Sequence, residues 1–539
     1  MLQFDSPAYF PLLIKSLLPT PLQNAPHTEI VSDGLIRYSY RDLETRLKTL
    51  AKGLAAQGIG QGDVVAVMDW DTHRYFECFF AVPMLGAVLH TVNIRLAPTQ
   101  IAYTIDHAED DVILVHADFL PLMEEVMPLV KRDVRLILLR DDPALEPQSA
   151  FDFITSYDAM MAAPAMDFEF PDFDERTRAT TFYTTGTTGE PKAVVYSHRQ
   201  LVLHTMGLLA GLGPIETSNR LHRGDVYMPI TPMFHVHAWG FPYAATLLGI
   251  KQVYAGRYTP ANLLRLIAEE GATFSHCVPT ILQMLLAAPE AAGTDLSKLK
   301  MLIGGSALPR GLAEAAMARG INVYTGYGMS ETCPVLTVSV LDPENESDVE
   351  ARLMTGNPIP LVDLQTVGAG MTEMPRDGAS TGEVVARAPW LNAEYLKNPE
   401  ATEALWEGDY LHTGDVGHIN ADGALMITDR MKDVIKSGGE WVSSLELESL
   451  ASAVDGVAEV AAIGVQDEKW GERPVLLIVA QDGADEGAIK DGIVSASQAA
   501  VAAGSLSKWA VPDQFRFVTE IAKTSVGKID KKRLRAEFV

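Results

Sequence analysis

What most constrains this chain is a rhythm, in which short aliphatic runs alternate with amphipathic helical stripes. Residues 64–68, 112–115 and 134–139 are rich in Val, Ile and Leu. Such runs suit strands covered on both faces, as in a parallel sheet, better than the half-wet strands of an antiparallel one. Ahead of the first run, Ser39 and Asp42 stand in capping-box spacing before Leu43, Leu47, Leu50 and Leu54, and Gly58 closes that helix. The alternation predicts an α/β fold. An acidic, proline-punctuated stretch over 141–175 breaks it and reads as a surface connection between two lobes.

Beyond that stretch the rhythm resumes. A helix over 261–270, a strand near Thr273, a strand over 301–303, a turn at Gly304 and Gly305 into a helix, and a strand at Val323 and Tyr324 make a second lobe. After Gly356 the pieces become short and extended, as at 383–386 and 424–427, with glycine turns between them; this predicts a small β-rich subdomain. Ser443 and Glu446, again in capping-box spacing, introduce a helix carrying Leu447, Leu450 and Val454, and strands at 457–465 and 475–480 follow. At roughly 150 residues per domain, a chain of 539 predicts three to four units.

Charge narrows the partners. Seventy acidic against 43 basic residues give a formal charge of -27, which repels polyanions and disfavours nucleic acid. A site for an anionic ligand must gather its cations locally. Cys78, Cys277 and Cys333 are widely spaced, with no C-x-x-C pair. Neither a disulfide framework nor a zinc site is indicated, and a reducing cytoplasm fits best. The apolar stretch over 9–18 is interrupted by Pro11 and Lys15, and that over 79–92 by Pro83, Gly86 and His90. Both fall short of the roughly 20 residues that span a bilayer, so no membrane insertion is expected.

Chemistry-bearing residues fall in clusters. Hydroxyls and glycines dominate Tyr183-Thr184-Thr185-Gly186-Thr187-Thr188-Gly189-Glu190-Pro191-Lys192, and such a loop brings backbone N–H groups and hydroxyls close to phosphate oxygens. A P-loop is excluded, because Pro191 precedes Lys192 and Ala193 follows it, leaving no hydroxyl for a metal ion. Tyr324-Thr325-Gly326-Tyr327-Gly328-Met329-Ser330-Glu331-Thr332 follows a predicted strand and offers an aromatic face for a base, a carboxylate for a metal ion and hydroxyls for phosphate. Three more segments follow: Tyr410-Leu411-His412-Thr413-Gly414-Asp415, Asp429-Arg430-Met431-Lys432-Asp433 and Lys523-Thr524-Ser525-Val526-Gly527-Lys528.

With these segments in this order, the chain resembles, over nearly its whole length, the adenylate-forming superfamily of acyl-CoA synthetases, nonribosomal-peptide adenylation domains and firefly-type luciferases. Pro232-Met233-Phe234-His235-Val236-His237-Ala238-Trp239-Gly240 and Lys436-Ser437-Gly438-Gly439-Glu440-Trp441 are similar to the short- and medium-chain fatty acid ligases, especially the 3-(methylthio)propionate-CoA ligases of dimethylsulfoniopropionate breakdown. The resemblance implies an N-terminal body over 1–431, made of two doubly wound α/β lobes (1–177 and 178–345) and a β-rich subdomain (346–431). A small mobile α+β C-terminal domain would occupy 432–539. It implies an AMP- and pyrophosphate-forming acid–thiol ligase that uses ATP, Mg2+ and coenzyme A. The acid's carboxylate attacks the α-phosphate of ATP, and the thiol then displaces AMP from the acyl-adenylate. Neither step needs a protein nucleophile, so positioning and charge stabilisation are what the protein supplies.

The roles that the resemblance implies fall on matching residues. Thr184, Thr185, Gly186, Thr187, Thr188, Gly189 and Lys192 would hold the β- and γ-phosphates. Glu331 would take Mg2+ together with Thr184, and Thr332 the α-phosphate. Tyr327 and Gly328 with the Gly305-Ser306-Ala307 turn would form the adenine slot, and Asp415 with Arg430 would bind the ribose. Lys528 would serve adenylation. Rotation about Lys432 would then withdraw it and bring Lys436, Gly438, Gly439, Glu440 and Trp441 to the pantetheine tunnel. His235, His237, Trp239 and Gly304 would build the acyl pocket, His235 also orienting the carboxylate and thiol. His235 and His237 are not read as a metal pair, since no third ligand lies nearby.

Three positions depart from the common pattern: Thr185 replaces a serine, His412 an arginine or lysine, and Ala522 a proline. None removes a group that the chemistry requires. The expected acid is 3-(methylthio)propionate; the alternatives are a general medium-chain ligase and an enzyme that loads a carrier protein. A homodimer is expected by resemblance alone. One methylene in an apolar pocket is worth about 1–3 kcal/mol, so a broad acid profile is expected.

Overall fold

The computed structural model describes residues 10–145, 147–184, 190–437, 440–467, 469–503 and 506–538, without the side chains of 440 and 441. Two large sheets form the body. In the first, seven strands run in the order Phe153–Ser156, Arg135–Leu139, Val112–His116, Val64–Met68, Val88–Thr91, Arg178–Thr184, Lys192–Ser197. Every pairing is parallel except the last. Val64–Met68 and Val112–His116 are buried at each position, as their unbroken aliphatic character requires. The helix Tyr40–Ala56 starts on the expected capping box of Ser39 and Asp42, and its Leu43, Leu47, Leu50 and Leu54 are fully buried.

The second sheet has nine strands, with Val226–Tyr227, Lys251–Tyr254, Phe274–Cys277, Lys300–Ile303 and Asn322–Gly328 as its parallel centre. Its membership does not follow a cut at 177/178. Glu29–Ser32 pairs in parallel with Lys251–Tyr254 and carries Ile36–Ser39 at the edge, while Arg178–Thr184 and Lys192–Ser197 complete the first sheet. Each lobe therefore lends the other a hairpin, which ties them together. The stretch over 141–175 is also more than a connection: Phe153–Ser156 extends the first sheet, and Ser156 caps the helix Tyr157–Met161 by accepting from Ala159 N at 3.2 Å.

A third, antiparallel sheet contains Asp363–Val367, Gly382–Arg387, Tyr410–Ile419 and Leu425–Arg430. The C-terminal domain has its own sheet, in which Gly471–Ala480 pairs antiparallel with Val457–Asp467 and parallel with Gln514–Phe517. It packs its helices on a separate core around Leu447, Leu476, Ile478 and Ile493. It sits on the body, where Gln283 Nε2 donates to the carbonyl of Ala458 at 2.6 Å. Among the described residues no helix is long and apolar enough to cross a membrane.

Candidate active site

The parallel strands of the second sheet end in loops that floor a cleft of about 410 Å3, the usual place for a ligand in an open α/β sheet. Gly304 and Gly305 follow Lys300–Ile303, and Met329 and Ser330 follow Asn322–Gly328. His235 and Trp239 line it from the body, and Lys528 reaches in from the C-terminal domain. Four separate stretches of chain thus meet, and only tertiary structure joins them.

Tyr327 donates its hydroxyl to Asp415 Oδ2 at 2.7 Å, and Arg430 Nε lies 3.4 Å from Oδ1. The strand register causes this: Asp415 and Arg430 face each other across the antiparallel pair Tyr410–Ile419 and Leu425–Arg430. Burial raises the Asp415 carboxyl above its ordinary range, opposed by Arg430, the Tyr327 hydrogen bond and Lys528. A buried carboxylate so placed is a strong acceptor for paired hydroxyls. His412 bonds through Nδ1 to Glu383 Oε2 at 2.9 Å, on the neighbouring strand Gly382–Arg387.

Lys528 lies among charges of both signs. Its pKa is lowered to about 8, chiefly by removal from bulk water and then by Arg430, with Asp415 and Glu331 pulling it upward. The ammonium form still predominates near neutral pH, ready for an anion.

Glu331 is buried, and burial raises its carboxyl above the usual range. Tyr395 donates to its Oε1 at 2.7 Å, and the same ring carries Lys192 Nζ 4.9 Å from its centroid. Tyr395 therefore links the buried carboxylate of Glu331 to the ammonium of Lys192. Thr184 closes its strand with Oγ1 3.5 Å from the carbonyl of Lys192. Thr332 is turned inward: fully buried, it accepts from Met329 N at 2.9 Å and donates to the carbonyl of Pro334, so in this arrangement its hydroxyl braces its own loop. Cys333 is buried, with its thiol pKa driven well up by that burial, which suits packing and not nucleophilic attack.

The segment carrying His235 and Trp239 is built on unusual backbone. Val236, His237, Ala238 and Trp239 have φ of 48°, 55°, 47° and 59°, a left-handed turn without a glycine until Gly240. Each such residue costs about 1–2 kcal/mol, so surrounding structure must impose it. The turn separates its side chains. Trp239 faces the cleft and stacks on His276 at 5.0 Å; His276 is itself fixed by Tyr227 at 2.8 Å and Thr231 at 2.9 Å. His235 lines the cleft too, and desolvation, Lys528 and Arg95 hold its pKa at about 3, so it acts as a neutral imidazole. His237 does not reach the expected acyl pocket. It is fully buried against Phe79, Phe182 and Tyr243, and neither ring nitrogen has a hydrogen-bond partner among the described residues.

Ser306 and Ala307 are exposed beyond the Gly304-Gly305 turn, and Lys432 is exposed between the strands Leu425–Arg430 and Ile435–Ser437. Lys436 is exposed on the second of these and does not line the cleft. Thr185, Gly186, Thr187, Thr188, Gly189, Gly438 and Gly439 lie outside the described residues, as do the side chains of Glu440 and Trp441. The sequence reading missed Tyr395, and also Asn93, Arg95 and Thr280, which touch the loop of Lys528. A tyrosine in an otherwise unremarkable stretch carried no local signal; only its pairing with Glu331, distant in sequence, reveals it.

Residues 20–396 match the family described as AMP-binding enzyme, and residues 446–528 match the AMP-binding enzyme C-terminal domain. The chain is 39% identical to a long-chain-fatty-acid–CoA ligase of Thermus thermophilus, covering 93% of this chain and 90% of that protein. It is 36% identical to a 3-methylmercaptopropionyl-CoA ligase of Ruegeria pomeroyi, covering 98% of both. Its fold matches that of the anthranilate CoA ligase crystallised with anthranoyl-AMP, with a TM-score of 0.85 at 22% identity over 100% of this chain and 99% of that one.

Proposed function

The chain belongs to the family of AMP-binding enzymes, and from that premise we propose that it joins 3-(methylthio)propionate to coenzyme A. It is an acid–thiol ligase, an acyl-CoA synthetase that works with ATP, coenzyme A and Mg2+. The single observation that most supports a short acid is the Trp239–His276 stack, which walls the cleft beside Gly304. An aromatic wall also suits a thioether, because sulfur rests favourably about 5 Å from a ring. The 36% identity to a ligase named for this acid points the same way.

In the first step the carboxylate attacks the α-phosphate and pyrophosphate leaves. Lys528 offers its ammonium to the charge that builds there. At about 4 Å and an effective dielectric of 20, one such contact is worth on the order of 4 kcal/mol. Tyr327 packs on the base, Asp415 accepts from the ribose hydroxyls, and Lys192 faces the departing phosphates. Glu331, with the hydroxyl of Thr184, would hold Mg2+. Among the described residues no group of three His, Cys, Asp or Glu forms a cage, which suits an ion bound by a carboxylate and substrate phosphates. When bound, that ion neutralises phosphate charge. In the second step the thiol attacks the acyl carbonyl and AMP leaves; rotation about Lys432 withdraws Lys528 and brings in the segment over 436–441.

The competing reading is a general medium-chain fatty acid ligase. Acids of graded length, with and without a thioether, ranked by kcat/KM for coenzyme A consumption, separate the two. The proposal expects 3-(methylthio)propionate to lead, with butyrate and valerate close behind. An optimum at eight carbons or longer overturns the substrate while leaving the reaction class in place.

A further inference from the structure

The loop that carries Lys528 is gripped from the body by residues that have no place in the chemistry above. Asn93 Nδ2 donates to Ser525 Oγ at 3.1 Å, Arg95 Nη1 to the carbonyl of Ser525 at 3.3 Å, and Thr280 Oγ1 to the carbonyl of Gly527 at 2.9 Å. The loop is also tied to itself: Thr524 N donates to the carbonyl of Lys528 at 2.7 Å, Gly527 N to that of Thr524 at 2.9 Å, and Lys528 N to Thr524 Oγ1 at 3.2 Å. It is therefore a preformed turn. Two of the three grips are on its outward carbonyls, and the one at Gly527 is a single bond from the Lys528 amide.

We infer that Asn93, Arg95 and Thr280 are positioning residues, a receiving surface that seats the Lys528 turn for adenylation and must let go before thioester formation. The surface is itself anchored. The Arg95 guanidinium lies 5.7 Å from the Phe234 ring centroid and 5.9 Å from that of Tyr258. Tyr258 donates its hydroxyl to Asp71, whose carboxylate accepts from Met233 N at 3.1 Å. Arg95 is thus braced on the segment that leads into His235, and the lysine is delivered to the same side of the cleft as the acid. Gly527, at φ +82°, has Thr280 Oγ1 3.1 Å from where a Cβ would stand, so the docked turn is packed tightly against Thr280. Three modest hydrogen bonds suit a contact that forms and breaks once per turnover, because each holds the turn by about tenfold.

The inference rests on the two-step reading, and the test separates the two. Thr280→Val keeps the shape and removes one donor; Asn93→Ala removes another; Thr280→Ser restores the hydroxyl. Single-turnover pyrophosphate release is measured on the full chain with acid and MgATP but no coenzyme A. Coenzyme A consumption from supplied acyl-adenylate is measured separately. Adenylation is expected to fall about tenfold in each single variant and about 100-fold in the double, with the KM for ATP and the second half-reaction within about twofold of native and Thr280→Ser near native. Adenylation at the native rate in the double variant overturns the inference, as does equal loss in both halves. Lys528→Ala is run alongside. If it too adenylates normally, the two-step reading fails; if it is slow while the double variant is not, only the receiving surface fails.

Discussion

The side chain of Lys528 lies directly on Gly305: a Cβ at that glycine would stand 3.0 Å from Lys528 Cε and 3.6 Å from Nζ. Gly305 also has φ +79°, where any other residue is strained. Gly305→Ala therefore crowds both the lysine and Val278, whose Cγ1 would stand 3.1 Å from the new methyl. Adenylation, followed as pyrophosphate release, is expected to fall by about 10- to 100-fold, and thioester formation from supplied acyl-adenylate to fall far less. Equal losses in the two assays would mean that Gly305 serves the nucleotide and not the lysine.

Lys528 also sets a pH dependence. Its pKa is lowered to about 8 in the free enzyme, chiefly by removal from bulk water. The charged form is the working form, so kcat/KM for adenylation is expected to be flat below about pH 7 and to decline as pH rises through 8. In the ATP complex the phosphates favour the ammonium, so the limb in kcat moves to higher pH. Lys528→Arg stays protonated and is expected to lose the alkaline limb; Lys528→Ala is expected to slow adenylation by about 10² to 10³ near neutrality. His235, neutral with a pKa of about 3, contributes no limb between pH 5 and 8. An alkaline limb unchanged in Lys528→Arg would assign it to another group.

Local order was easy to read from the chain, long-range assembly much less so. The helix Tyr40–Ala56, the strand Val64–Met68 and the cap at Ser443 follow from periodicity and side-chain chemistry inside a window of a few residues. The strand Glu29–Ser32 joins a sheet whose neighbouring strand begins at Lys251, and nothing in either segment encodes that pairing. The same limit applies at the site. Asp415 and Arg430 stood out within motifs, yet Tyr395 acquires its role only by meeting Glu331, 64 positions away. His237 differs for another reason: the resemblance implied a place in the acyl pocket, and four consecutive left-handed residues direct its ring into the core.

Asp415 is expected to matter for the nucleotide and not for the acid. Asp415→Asn keeps an acceptor for Tyr327 and loses the charge that strengthens bonds to ribose hydroxyls. Hydrogen bonds to charged groups contribute about 1.5–3 kcal/mol, so the KM for ATP should rise by roughly 10- to 100-fold while that for the acid stays within about threefold. Initial rates with each substrate varied in turn give both values. A larger effect on the acid would place Asp415 outside the ribose site.

Trp239 provides the sharpest test of what the cleft accepts. Its ring is 5% exposed and cannot easily swing aside, because it stacks on His276, which Tyr227 and Thr231 hold by hydrogen bonds on both nitrogens. A wall fixed in this way excludes longer chains through sterics, not through weak affinity. Trp239→Ala removes the wall and leaves the supporting stack behind it. At about 0.8 kcal/mol per buried methylene, four extra carbons would recover about 3 kcal/mol, on the order of 10² in rate ratio. The ratio of kcat/KM for octanoate over butyrate is therefore expected to rise by about two orders of magnitude. The absolute value for 3-(methylthio)propionate should fall, since its sulfur loses the ring. An unchanged length profile with an intact rate would show that the acyl chain leaves the cleft by another path and that Trp239 is only part of the core.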